Sequence, residues 1–224
     1  MMPGVIPRAR GEHFGRLDVI VNNAGYGLSG AVEELTEQQL RDQLETNLFG
    51  AVWVVQAALP YLREQGNGHI LQISSVGGLT VFPLGGGYVA SKWALEGLSE
   101  TLAQEVAAFG IVAAFGIKVT LVEPGSYATE GAAGAVHADA NPLYDGLRES
   151  FAEFAKTLDV GDPAAAGRTL LKIADSDNPP LRVFFGAQGN QILPRVYADR
   201  LKTWNDWHDL AVEAHGHTPT APAA

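Results

Sequence analysis

The sequence predicts an α/β fold: a parallel sheet with helices on its faces. Two observations carry this. Four short apolar runs, residues 17–24, 69–75, 118–123 and 181–185, have the length and composition of buried strands. Helical stretches lie between them, and strands that alternate with helices form parallel sheets through crossover connections.

Chain-wide properties narrow the class. The 224 residues fit one domain with a sizeable core. A net charge of −10, with no basic cluster to offset it, argues against a nucleic-acid or anionic-membrane partner. The chain has no cysteine, which excludes disulfides and thiolate metal sites and suits a cytoplasmic protein. No apolar run approaches the ~20 residues of a membrane span, and the first residues lack the apolar core of a signal peptide. The expected organisation is a weakly patterned segment over 1–16, one domain over 17–215 and a disordered tail over 216–224.

Residues 1–16 hold two prolines and three glycines, which disfavour a strand. The first strand, LDVIVNNA, ends in Asn22-Asn23-Ala24-Gly25. Taken alone this is a turn, since Asn and Gly both tolerate left-handed backbone. Gly25-Tyr26-Gly27-Leu28-Ser29-Gly30 then matches G-x-G-x-x-G after a strand. Phosphate binding requires the third glycine to open a helix. Here the better helix start is Thr36, with Gln39 as its capping-box partner, so 25–35 reads as a loop. Residues 36–65 read as one long helix, with Leu40, Leu44, Leu48, Val52 and Val55 at helical spacing. Asn47 lies in its middle, where asparagine lowers helix propensity.

The strand HILQISS ends in the hydroxyls of Ser74 and Ser75, and a glycine-rich loop over 76–87 follows. Its GGG at 85–87 matches no phosphate-loop spacing. The next helix begins YVASKWALE, with Gly110 as the expected C-cap. Tyr88 and Lys92, four apart, share a helix face. An ammonium beside a phenol favours the phenolate, so Lys92 is expected to lower the Tyr88 pKa from about 10. Such a tyrosine can give or take a proton at a carbonyl or hydroxyl carbon. Ser75 can hydrogen-bond the same oxygen. Each motif is common alone; the joint spacing, with a strand before and a helix after, is what points to an active site.

VAAFGI occurs at 106–111 and again at 112–117, an insertion that a surface loop absorbs cheaply. The strand KVTLVE leads into the sharp turn Pro124-Gly125. An amphipathic piece, LRESFAEFAKTL, lies in the alanine-rich stretch 126–160. Asp162 caps a short helix with Pro163 at its first position. Residues 190–215 read as a closing helix. His208, His215 and His217 lack the carboxylate-histidine spacing of a metal site, so no metal is expected.

With these residues in place, the chain resembles the short-chain dehydrogenase/reductase family from about Leu17 to the C-terminal helix. The resemblance implies a Rossmann-like sheet and reversible hydride transfer between NAD or NADP and an alcohol or ketone. It implies that Tyr88 is the acid/base, that Lys92 lowers its pKa and holds the ribose, and that Ser75 orients the carbonyl. Asn47 would hold a relay water. Asn23, Ala24, Gly25, Pro124, Gly125 and Thr129 would line the cofactor together with Tyr88 and Lys92, and 126–160 would be a lid over the substrate. Loop and lid offer apolar residues such as Leu79, Val81, Phe82, Leu84 and Tyr127, and the loop holds no arginine. An uncharged, apolar substrate is therefore expected.

The family's chains carry a first strand, a Thr-Gly-x-x-x-Gly-x-Gly turn and two more βα units before the Asn-Asn-Ala-Gly segment, about 60 residues at ~30 per unit. Here 21 residues precede Asn22 and none forms that turn. The expected sheet therefore lacks the first βαβαβ portion, and with it the pyrophosphate cradle and the residue choosing NAD over NADP. Weak cofactor binding is expected, and Leu17–Ala24 becomes an apolar edge that favours a homo-oligomer. Two readings of other classes stay open: a non-catalytic remnant or misread gene start, and a scaffold or oligomer partner of a complete homologue.

Overall fold

The computed structural model describes residues 13, 15–107, 116–129 and 134–216. In chain order the first elements are β1 (Val19–Asn22), β2 (Leu28–Ser29), α1 (Glu37–Leu44), α2 (Gly50–Gln65), β3 (Gly68–Ile73) and α3 (Gly86–Val106). Then come β4 (Ile117–Pro124), β5 (Val136–His137), α4 (Asp145–Ala155), α5 (Pro163–Ala174), β6 (Arg182–Phe185), α6 (Gln188–Asp206) and α7 (His208–His215). Four strands pair in the order β1-β3-β4-β6, all parallel, with Val19 opposite His69 and His69 opposite Lys118. The chain divides into two compact units, Met1–Gly189, which holds the sheet, and Asn190–Ala224. Among the described residues no helix is long and apolar enough to cross a membrane.

Continuous apolar runs became strands because their sheet is covered on both sides. His69–Gln72 on β3 and Val119–Glu123 on β4 are buried without a break. Successive strand side chains point to opposite faces, so Ile70 and Leu71 fall in different clusters. Ile70 packs with Val55, Leu62, Leu102 and Val119 on one face. Leu71 packs with Val122, Ile173 and Phe185 on the other. Among the described residues β1 is one of the two edge strands, as expected, and its Val19 and Val21 remain 40% and 45% exposed.

Some polar groups of the sheet are matched by hydrogen bonds. Asn22 Nδ2 donates to Gln72 Oε1 at 2.8 Å. The Thr120 hydroxyl gives its proton to the Pro180 carbonyl at 2.8 Å, so His69 must donate from Nε2 to Thr120 Oγ1 at 2.9 Å.

Several expectations need correction. Residues 36–65 are not one uniform helix: after the Thr36–Gln39 capping box, a π-helical turn over Glu45–Phe49 separates α1 from α2, with Gly50 N–H bonding Glu45 O. Residues 25–35 are not all loop, because β2 pairs in parallel with β5 in a second, small sheet. The closing helix is two helices, α6 and α7. The tyrosine helix ends at Val106, with Ala107 rather than Gly110 at its C-cap. Gly110, most of the duplicated VAAFGI, residues 1–12 and the tail beyond 216 lie outside the described residues.

Candidate active site

In a parallel sheet the carboxyl ends of all strands open on one edge, where ligands of such folds bind. Here that edge receives Asn22–Gly25 after β1, Ser74-Ser75 after β3 and Pro124-Gly125 at the end of β4. Ser75 caps a 3-10 turn, its Oγ accepting from Gly77 N–H at 3.0 Å and reaching the Pro124 carbonyl at 3.5 Å. That places the serine between two strand ends.

Tyr88 and Lys92 face this edge from the first turns of α3. Lys92 is 5% exposed, and its Nζ donates to the Ile73 carbonyl at 2.8 Å while lying 5.9 Å from the Tyr88 ring centre. Burial pulls the ammonium down to about 8, opposed by the charge of Glu96. The expected fall in the Tyr88 pKa is not what the structure gives. Burial pushes the phenol above its ordinary value, and a hydrogen bond with Ser75 only partly offsets this. The lysine turns to a backbone carbonyl instead of the phenol, so desolvation wins.

Asn47 is 2% exposed, in the π-turn between α1 and α2. Its Oδ1 accepts from Tyr26 N–H at 3.1 Å. Its Nδ2 donates to the Tyr26 carbonyl at 3.1 Å and to Ser91 Oγ at 3.0 Å. Ser91 Oγ in turn donates to the Tyr88 carbonyl at 2.7 Å. Asn47 thus ties the strand-end loop to the tyrosine helix. Ser91, Gln43 (Nε2 to the Tyr26 carbonyl, 3.0 Å) and Gln188 were missed in the sequence. Only the three-residue spacing of Ser91 from Tyr88 hinted at any of them.

Asn23, Ala24 and Gly25 are exposed after β1. A Cβ on Gly25 would sit 3.1 Å from Asn47 Oδ1 and 3.7 Å from Lys92 Nζ, so bare backbone lies against the buried ammonium there. An ammonium with three protons, one spent on Ile73, beside an open strip of backbone fits a ribose diol. Across the edge, Gly125 N–H bonds Phe185 O at 3.0 Å and Ser126 N–H bonds Gln188 Oε1 at 2.8 Å. A Cβ on Gly125 would lie 2.1 Å from that Oε1, so a larger residue there would have to displace the Gln188 side chain. Thr129 is exposed, at the end of its described segment. Among the described residues no group of three His, Cys, Asp or Glu side chains could hold a metal ion.

An apolar wall stands beside Tyr88. The Phe82 ring lies 6.4 Å from that of Tyr88 and stacks at 6.0 Å on Phe151 of α4, which meets Phe154 at 6.3 Å. The segment carrying Phe151 is latched by Glu34, whose side chain is 2% exposed. Glu34 accepts from Ala31 N at 2.6 Å, Asn141 N at 2.7 Å and Arg148 Nη1 at 2.8 Å, and these bonds from Asn141 and Arg148 hold its carboxyl below the usual range. Glu34→Gln should loosen this latch, because the neutral amide binds Arg148 less strongly. Amide exchange over 136–148 should then rise roughly ten- to a hundredfold in mass spectrometry; unchanged exchange would show that the latch holds nothing.

The family model described as short chain dehydrogenase matches residues 6–140. A 3-ketodihydrosphingosine reductase of Bacteroides thetaiotaomicron is 37% identical over 195 residues, covering 85% of this chain and 68% of that protein. A crystal structure of a short-chain dehydrogenase from Streptomyces avermitilis matches with a TM-score of 0.83 at 36% identity, over 95% of this chain and 77% of that one. ElxO with NADP bound matches with a TM-score of 0.62 at 26% identity, over 81% and 71%. The parallel sheet, the serine, tyrosine and lysine at its carboxyl edge, and these likenesses agree: this chain belongs to the short-chain dehydrogenase family.

Proposed function

We propose that this chain catalyses reversible hydride transfer between a nicotinamide cofactor, NAD or NADP, and an uncharged, apolar alcohol or ketone. The observation that carries the reading is the convergence of Ser75, Tyr88, Lys92 and Asn47 at the carboxyl edge of the sheet. A bound nicotinamide supplies or accepts the hydride. The chain's own residues manage the proton: Tyr88 Oη gives it to the substrate oxygen in reduction and takes it in oxidation. Ser75 Oγ orients that oxygen, Lys92 holds ribose hydroxyls, and Asn47 orders the water that resupplies the proton. Asn23, Ala24, Gly25, Pro124, Gly125 and Thr129 line the cofactor. NADP in the ElxO structure supports a nicotinamide ligand.

The Phe82–Phe151 wall beside Tyr88 supports an apolar substrate. Arg148, the cation nearest in sequence to Phe151, is spent on Glu34, Asp145 and Asn141 and is not offered to an anion. The Bacteroides relative is named for a ketone substrate, which fits. The test is a panel of apolar ketones and anionic carbonyl compounds with NADH and NADPH, read by loss of reduced-nicotinamide absorbance. Turnover of apolar ketones is expected; preference for anionic compounds, or no turnover with either cofactor, overturns the reading. Phe151→Ala should raise KM for apolar ketones several-fold while leaving kcat near wild type, because the wall binds without touching the proton.

A homo-oligomer is also proposed. The exposed valines of edge strand β1 support it, since an apolar unpaired edge favours association. Light scattering showing only monomer would count against it.

A further inference from the structure

Behind the proposed site lies a set of buried acids that the chemistry above does not use. Glu96 of α3 and Glu123 of β4 are 4% and 1% exposed. Glu96 Oε1 and both carboxyl oxygens of Glu123 lack a hydrogen-bond partner. Their shared counter-ion is Arg182 of β6. Its Nε lies 3.1 Å from Glu96 Oε2 and 3.4 Å from Glu123 Oε1, and its Nη2 lies 2.9 Å from Glu100 Oε2. Three carboxyl groups thus face one guanidinium, and only Glu100, 45% exposed, keeps substantial contact with water. A buried carboxylate that accepts no hydrogen bond is strongly disfavoured. One proton taken up by the pair removes one of these buried negative charges.

The position of this cluster gives it a role. Three segments of the proposed active site adjoin in sequence either a member of the cluster or Ser74, which lies beside Glu96. Glu96 lies one helical turn beyond Lys92, Glu123 directly precedes Pro124-Gly125, and Ser74 directly precedes Ser75. A Cβ on Gly78 would lie 2.7 Å from Ser74 Oγ and 3.0 Å from Glu96 Cγ, so the Ser75–Gly78 turn rests on the cluster. We infer that Glu96 and Glu123 share one proton and, with Arg182, act as positioning residues that clasp α3, the β4 turn and the serine turn together.

The groups facing the pair are Lys92 and Glu100 on α3, Arg182 on β6, and the hydroxyl of Ser74. Burial pushes Glu123 up to about 8, with the charge of Glu96 adding and Arg182 opposing, and burial raises Glu96 as well. The folded state therefore holds a proton that the unfolded chain releases at the ordinary carboxylate pKa. The stabilisation falls as pH rises from about 4.3 to about 8 and is level above.

The clasp itself is tested without turnover. Urea melts of wild type, Glu123→Gln and Glu96→Gln should diverge by up to about tenfold in folding constant per pH unit between pH 5 and 8, the glutamine variants gaining as pH rises. Infrared spectra of wild type at pH 7 should show a protonated carboxyl band that Glu123→Gln or Glu96→Gln removes. Parallel melts for both variants, or no such band, overturn the shared proton. The positioning role, which rests on the proposed hydride-transfer reading, is tested by rescue. Glu123→Val should lower kcat about tenfold or more, and Glu123→Gln should restore it at pH 7 with KM unchanged. A valine variant with wild-type kcat, or a glutamine variant as slow as the valine one, overturns that role. Wild type inactive on every ketone would sink the hydride-transfer reading, while melts and infrared still judge the clasp.

Discussion

Tyr88→Phe is expected to lower kcat by about 10²–10⁴-fold, the usual worth of a positioned general acid or base. The change deletes one hydroxyl and keeps the ring that packs against Phe82, so the melting temperature and KM should stay near wild type. Ser75 loses its bond to the phenol but keeps those to Gly77 and Pro124, and Lys92 keeps its bond to Ile73, so both remain in place. Steady-state kinetics beside circular dichroism separates lost chemistry from lost fold. A phenylalanine variant that retains most of its turnover removes Tyr88 from the role. Burial raises the Tyr88 pKa, so the phenol stays protonated through neutral pH. Ketone reduction should therefore hold steady there and decline only under alkaline conditions, as the proton donor is lost.

The largest expected effect on stability falls at Gly116, which leads into β4. Its φ is +66°, and a Cβ there would lie 2.1 Å from the Gly66 carbonyl oxygen and 3.0 Å from the Gly66 carbonyl carbon. Left-handed backbone costs about 1–2 kcal/mol for an L-residue, and here the obstacle is main chain, which cannot swing aside as a side chain would. Gly116→Ala should therefore reach the upper end of the roughly 0.5–3 kcal/mol range of single substitutions. For a chain of this size, 3 kcal/mol is about 6–12 °C in melting temperature. Gly97, on α3, supplies the control. It is exposed with open space at its Cβ position, so Gly97→Ala should stabilise by about 0.4–1 kcal/mol. Calorimetry on both variants checks the pair; equal melting temperatures would refute the backbone-overlap argument.

Much of the architecture was legible in the order of residues, because its signals are local. Runs such as HILQI and VTLV have to be covered on both faces, and parallel order follows from the helices between them. The Thr36–Gln39 and Asp162 caps formed as read, because each satisfies helix-end N–H groups within a few residues. The π-turn at Asn47 was not legible. It is fixed by Tyr26 and Ser91, 21 and 44 residues away in sequence. The β2–β5 pairing, over a hundred positions apart, and the Glu34–Arg148 latch escaped for the same reason.

The sequence by itself determined the α/β class, the order of the four strands of the main sheet and the helical stretches between them, and the spacing that brings Ser75, Tyr88 and Lys92 to one edge. Tertiary structure alone decided how these groups are solvated and paired. Lys92 could be placed on the face of Tyr88 by counting, but whether its ammonium meets the phenol or the Ile73 carbonyl depends on a strand 19 residues upstream. Likewise nothing near Glu123 in sequence announces Glu96 or Arg182, which arrive from a helix and a neighbouring strand. Periodicity and capping are short-range and survive in the order of residues, whereas desolvation and charge pairing depend on which distant groups exclude water from the same few ångströms.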